Sequence, residues 1–120
     1  MQITRVTTVL DAADVGQEVA FWAAVLGGTA VGDRTWQSVR LPDGTKPVAV
    51  QLSPDHRPSR WPDEPVNVHL DLWVEEIRQA HGEVVSRGAE LIQEGEHTAL
   101  GSFNVYLSPA GHPFCLCWHP

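Results

Sequence analysis

A chain of 120 residues, 42% hydrophobic and 19% charged, has the composition of a globular domain large enough to bury a core. Its formal net charge of −7 and lack of any basic run leave nothing to neutralise phosphates, so neither nucleic acid nor an anionic membrane is an expected partner. No stretch is long and apolar enough to span a bilayer, and the first residues lack the charged-then-apolar form of a signal peptide, so the cytoplasm is the expected compartment.

The β-branched run from Ile3 to Leu10 predicts a strand. Asp14 then opens a helix, with Gln17 placed to complete a capping box. Val15, Val19, Trp22 and Leu26 fall at helical spacing, Phe21 and Val25 widen the stripe, and Gly27-Gly28 stops it. Short strands follow around Thr29–Val31, Trp36–Leu41 and Pro47–Leu52, the last two joined by a turn at Pro42-Asp43-Gly44. Pro54, Pro58, Pro62 and Pro65 make Ser53–Pro65 a loop linking two halves.

Beyond it, Val66–Val74 predicts a strand that leads into a second helix, from about Glu75 to Arg87, with Ile77, Ala80 and Val84 on its buried stripe. Gly82 weakens that helix by about 1 kcal/mol relative to alanine, and Gly88 ends it. Strands at Ala89–Gln93, Phe103–Leu107 and Phe114–Trp118 complete the second half. Strand, helix and three strands thus occur twice. Leu26-Gly27-Gly28-Thr29 is echoed by Ser86-Arg87-Gly88-Ala89, and Pro42-Asp43-Gly44 by Pro109-Ala110-Gly111, in the same order. The reading is one domain, 1–120, built from paired βαβββ modules at about 1–54 and 66–120.

Alternation along Val66–Val74 turns Val66, Val68, Leu70 and Leu72 to one face and Asn67, His69, Asp71 and Trp73 to the other. An apolar face that seals a core, backed by a histidine among polar groups and an aromatic, suits a strand that lines a ligand cavity. Asp71 shares the face of His69 but lies about 7 Å along the strand; it stands either to orient the imidazole or act as a base, or at the strand's wet end, the last being slightly favoured. Five tryptophans exceed what so short a core needs. Trp22 belongs to the first helix's buried stripe; Trp36, Trp61, Trp73 and Phe103 are candidates for a pocket or a subunit interface. His56, Arg57 and Arg60 stand in the proline-rich loop. His81, His97 and His119 read as surface residues, and His112 as part of the final turn. Asp11 and Arg5 share the face of Thr7.

Cys115 and Cys117 are two apart on a strand, about 6.5–7 Å between Cα atoms, at the edge of disulfide geometry. Free thiols are expected.

Three stretches carry a resemblance: Phe21-Trp22-Ala23-Ala24-Val25-Leu26-Gly27, Val68-His69-Leu70-Asp71-Leu72, and Ser108-Pro109-Ala110-Gly111-His112-Pro113-Phe114-Cys115-Leu116-Cys117. In this order they resemble the vicinal oxygen chelate superfamily, the fold of glyoxalases, bleomycin-resistance proteins and extradiol dioxygenases, and within it the glyoxalase-like branch. The resemblance implies an α+β fold whose paired βαβββ modules curl a mixed sheet into a cup, assembled as a homodimer. In metal-dependent members four inner positions, commonly His and Glu or Gln, hold a divalent cation. Carried over, those positions fall on Thr7, Gln51, His69 and Cys115. Only two keep usual ligand types, so no standard metal site is expected. If an ion binds, Gln51, His69 and Cys115 would hold it, with Cys117 in support, and zinc suits such soft ligands. Cys115 as nucleophile with His69 as its base is the other rescue.

Two functional classes follow. The first is a protein that encloses a small, partly aromatic molecule without a cofactor, using Thr7, Gln51, Asn67 and His69 as polar anchors among Trp36, Trp61, Trp73 and Phe103. The second is a lyase- or isomerase-type enzyme using a non-standard metal site or His69 and Asp71 as acid–base groups, with Cys115 as the candidate catalytic nucleophile.

Overall fold

The structure is a computed structural model that describes residues 1–99 and 101–119, and only the backbone of Glu96 and His97. The expectation for His97 therefore lies outside the described side chains. The chain divides into two compact units, Met1–His56 and Arg57–Pro120.

The first unit runs β1 (Thr8–Ala12), α1 (Val15–Leu26), β2 (Thr29–Gly32), β3 (Trp36–Arg40) and β4 (Val48–Leu52), in a sheet of order β1-β4-β3-β2. Asp14 caps α1, its carboxylate accepting from the Gln17 amide at 3.0 Å, and Gly27 ends it in the left-handed region at φ 72°. The stripe predicted for α1 is buried at Val15, Val19, Phe21 and Trp22. Glu18 is buried with them, and its carboxylate accepts from the Trp22 indole at 2.8 Å. Burial of an acid one turn from an indole was legible in the spacing, because positions 15, 18, 19 and 22 share one helical face.

The second unit runs β5 (Leu70–Trp73), α2 (Ile77–Ser86), β6 (Glu90–Thr98), β7 (Gly101–Leu107) and β8 (Pro113–Trp118), in a sheet of order β5-β8-β7-β6. The order matches the first unit's, and in both the first and last strands pair in parallel. Turn glycines match too: Gly44 and Gly111 lie at φ 86° and 84°. The predicted order of strand, helix and three strands is present in both units.

The sixth strand runs on to Thr98 rather than Gln93 and the seventh starts at Gly101 rather than Phe103, while two strands start several residues later than expected. The first strand begins at Thr8 rather than Ile3, and the fifth at Leu70 rather than Val66. Both parallel ladders open one residue after a proline on the partner strand: Thr8 pairs with Val48 after Pro47, and Leu70 with Phe114 after Pro113. A proline has no N–H to donate, so the ladder cannot extend past it. Val68, placed by alternation on the sealed face, is accordingly 70% exposed.

In the second sheet one face carries Phe114, Leu116 and Tyr106 toward the α2 side of the unit, with the Tyr106 and Phe114 rings stacked at 5.4 Å. Alternation sends Cys115, Cys117, Val105 and Phe103 to the opposite face. There Val105, Cys115 and Cys117 form a buried apolar floor, against which Trp61, Ile92 and Phe103 pack.

Candidate functional site

The polar face predicted for residues 66–74 converges over this floor. Asp71 pairs with Cys115 and Trp73 with Cys117 in the β5–β8 ladder, which sets all four on one side of the sheet. His69, two residues before Asp71, points to the same side, and its Nε2 stands 3.1 Å from Asp71 Oδ1. Asp71 is thus not simply a wet-end residue: the strand's end curls the imidazole over its carboxylate. The ligand atoms of His69, Asp71 and Cys115 all lie within 4.8 Å of one another.

Trp61 roofs one side. Its ring stacks on the His69 imidazole at 5.2 Å and 21°. The loop that carries it is tied to the β7–β8 turn, where the Ser59 amide donates to the Gly111 carbonyl at 2.9 Å, and the Trp61 amide donates to Ser59 Oγ at 3.1 Å. At the other end Trp73, 55% exposed, stacks on His119 at 4.8 Å. Asn67 is exposed outside the strand.

Both cysteines are free and buried. Burial, then the negative charge of Asp71, pushes the Cys115 thiol up to about 12; the same two causes push Cys117 up to about 11. The thiols act toward Asp71 as hydrogen-bond donors. Because the folded chain holds these protons more tightly than an unfolded thiol near 9.0, the stability they contribute is complete below pH 9 and is lost as pH rises toward 11–12. We expect chelator-treated protein to react with iodoacetamide at pH 8 at least about a hundredfold more slowly than free cysteine, a ratio set by the thiolate fraction. Labelling at the rate of free cysteine would contradict this picture of the floor.

The remaining predicted residues lie in the first unit. Thr7 donates from Oγ1 to the Lys46 carbonyl at 2.9 Å, and the Gln51 side-chain amide donates to Asp11 Oδ1 at 2.8 Å. Trp36, 41% exposed, pairs with Gln51 across β3 and β4. Ladder position relates the units residue by residue. Thr7 and His69 both stand one residue before their ladders, Val9 matches Asp71, Ala49 matches Cys115, and Gln51 matches Cys117. Where the second unit has His, Asp and Cys, the first has Thr, Val and Ala. Of the four positions implied by the resemblance, Thr7 and Gln51 are hydrogen-bonded to Lys46 and Asp11 in the first unit, while His69 and Cys115 stand together in the second.

Sequence reading missed a second cluster. His81 was expected on the surface, yet its Nδ1 lies 2.8 Å from the Tyr106 hydroxyl, toward which the Asn104 amide donates at 3.4 Å. Alternation had already put Asn104 and Tyr106 on one face of β7, and His81 lies one turn from Ile77 on the α2 stripe. A cleft of about 270 Å³ opens there, lined by Ile77, Arg78, His81, Leu91, Glu94 and Asn104. A larger one in the first unit, about 370 Å³, is walled by the turns Gly27–Thr29 and Arg40–Gly44 and brings no catalytic side chains together. His112 serves the final turn as expected, its amide donating to Ser108 Oγ at 3.0 Å.

Two mixed four-stranded sheets of the same order, each with one helix, are the α+β architecture of paired βαβββ modules. Residues 7–117 match the glyoxalase-like domain family, and the chain belongs to it, within the vicinal oxygen chelate superfamily. Solved structures share the fold. A glyoxalase-related enzyme from Fulvimarina pelagi is 16% identical with a TM-score of 0.70, over 98% of this chain and 90% of that one. A glyoxalase/bleomycin resistance protein/dioxygenase family enzyme from Burkholderia phytofirmans PsJN is 12% identical with a TM-score of 0.72, over 95% and 97%. The bleomycin-binding protein of Streptomyces verticillus, solved with copper(II)-bleomycin, is 22% identical with a TM-score of 0.60, over 99% and 97%. No curated protein matches the chain in sequence. Among the described residues no helix is long and apolar enough to cross a membrane.

Proposed function

We propose that the chain binds a small, partly aromatic molecule over the Trp61–His69 face of its second unit. The observation that carries this reading is the stacked Trp61–His69 pair set over an apolar floor with one carboxylate beside it. Such a surface offers planar contact area with few polar anchors, as small-molecule sites generally do. The fold is shared with a protein solved with bleomycin, which favours binding as a task this architecture can perform. A homodimer, as the resemblance implies, and a cytoplasmic location, as the two free thiols favour, are part of this reading.

The test is a fluorescence titration with metal-free bleomycin and with a panel of planar aromatic carboxylates and amines. A binding compound should quench tryptophan emission, and Trp61→Ala should weaken it by about tenfold or more, as for a buried aromatic anchor. Undiminished quenching in Trp61→Ala would remove this face as the site.

One observation favours a second reading, that of a lyase- or isomerase-type enzyme. His69 and Asp71 are a half-exposed hydrogen-bonded pair, 37% and 48% accessible, and so open to a substrate's proton. Turnover of a bound compound that disappears in His69→Ala while its affinity persists would select this reading over simple binding.

A further inference from the structure

We infer that the cleft between α2 and the second sheet binds a small zwitterion, an amino acid with an apolar side chain, held by Arg78, His81 and Glu94. The cleft measures about 270 Å³ and is lined by these three residues with Ile77, Leu91 and Asn104. That is room for about nine waters at their liquid share of about 30 Å³ each, enough for an amino acid and too little for a nucleotide. Arg78 and Glu94 bring opposite charges to the cleft, yet among the described residues no ion pair joins them. A molecule that carries both charges bridges the two: its carboxylate meets Arg78, its ammonium group meets Glu94, and its side chain lies against Ile77 and Leu91.

A directed chain of hydrogen bonds sets the histidine. The Gly95 amide, at the irregularity in β6, donates to Asn104 Oδ1 at 3.2 Å, which turns the Asn104 amide nitrogen to the Tyr106 hydroxyl at 3.4 Å. The hydroxyl oxygen thus accepts from Asn104, and its proton goes to its other neighbour, His81 Nδ1, at 2.8 Å. Burial first, and then the negative charge of Glu94, pushes the Tyr106 phenol above its ordinary pKa, so it keeps that proton to donate. With Nδ1 accepting, the neutral His81 ring carries its own proton on Nε2. Arg78 and His81, three apart on α2, are neighbours on the helix surface, so guanidinium and Nε2–H serve one carboxylate.

The fold does not require these polar groups. Counted from the start of each helix, His81 corresponds to Val19; by ladder position, Tyr106 corresponds to Val39 and Leu91 to Ala30. Val19 and Val39 belong to the first unit's core, 2% and 0% exposed. Two valines suffice there to seat helix on sheet, whereas the second unit sets an imidazole and a phenol at the same places, beside an open cleft. Tyr106 stands on the α2 face of the sheet and Val105 on the face below Trp61, so this site is separate from the binding face proposed above.

The experiment is a titration of the isotope-labelled full chain with L-leucine and L-valine at about pH 8, where imidazoles are ordinarily neutral, followed at the ring resonances of His81 and Tyr106. Saturable shifts of both rings are expected, with the His81 nitrogens showing the Nε2–H tautomer. Isocaproate, which lacks the ammonium group, and isoamylamine, which lacks the carboxylate, should each bind at least about tenfold more weakly than L-leucine. Arg78→Gln and Glu94→Gln, changes at exposed side chains, should each weaken L-leucine by at least about tenfold, while Arg40→Gln in the other unit should not. Tyr106→Phe should let the Nδ1–H tautomer appear; if that variant does not fold by circular dichroism, the two charge changes keep the test decisive. No saturable shift with either amino acid, equal binding of isocaproate, full affinity in Glu94→Gln, loss in Arg40→Gln, or an Nδ1–H tautomer in the parent chain would overturn the assignment.

Discussion

Phe114→Ala is expected to cost about 3–5 kcal/mol of stability, the range for removing a fully buried aromatic ring. Phe114 has no exposed surface, pairs with Leu70 on one side and Tyr106 on the other, and stacks on the Tyr106 ring. Truncation leaves a cavity between two strands that hold the candidate site on their other face. Since a domain's total stability is roughly 5–15 kcal/mol, urea denaturation should show a large fall in the midpoint. Val68→Ala is the contrast: alternation alone would bury Val68, but at 70% exposure its truncation should change stability by no more than about 0.5 kcal/mol. A cost below about 1 kcal/mol for Phe114→Ala, or one of similar size for Val68→Ala, would contradict the packing described.

Gly111→Ala is the second large effect, and the internal repeat supplies its control. Gly111 and Gly44 hold the same left-handed backbone, φ 84° and 86°. Any side chain there costs about 1–2 kcal/mol from conformation alone. A Cβ at Gly44 meets nothing within 4 Å, whereas one at Gly111 collides with the Cα and Cβ of Pro58. The collision would push away the segment whose Ser59 amide bonds the Gly111 carbonyl, and Trp61 lies two residues further on. Gly44→Ala should therefore lose only the conformational increment and keep normal tryptophan emission. Gly111→Ala should lose more than Gly44→Ala, shift tryptophan emission to the red and abolish most ligand quenching. Equal losses with unchanged emission would show that Trp61 is not held by this turn.

These expectations rest on features unevenly legible in the sequence. Period and punctuation located the repeat, both helices and the turns, because caps and turn glycines are local: Asp14, Gln17 and Gly27 act within one helical turn. Strand starts were misplaced, since a parallel ladder's end depends on a residue far away in the chain. Nothing near Val66 announces that Pro113 will stop the pairing at Leu70. The candidate site was half legible. Alternation placed His69 and Asp71 on one face, but a regular strand keeps such residues about 7 Å apart; only the irregular entry to β5 brings Nε2 to 3.1 Å from the carboxylate. Trp61 over His69 was out of reach, because a proline-rich loop has no periodicity from which to infer where its aromatic will land. The His81–Tyr106 bond was legible in the faces of α2 and β7 and required only that the two patterns be read together.

The most direct test of the proposed binding face is an amide and indole chemical-shift map of the isotope-labelled chain with any compound that quenches its fluorescence. The account predicts that the largest perturbations fall on the Trp61 indole and on His69, Asp71, Phe103 and Val105. Perturbations centred instead on the cleft between Gly27–Thr29 and Arg40–Gly44 would contradict it.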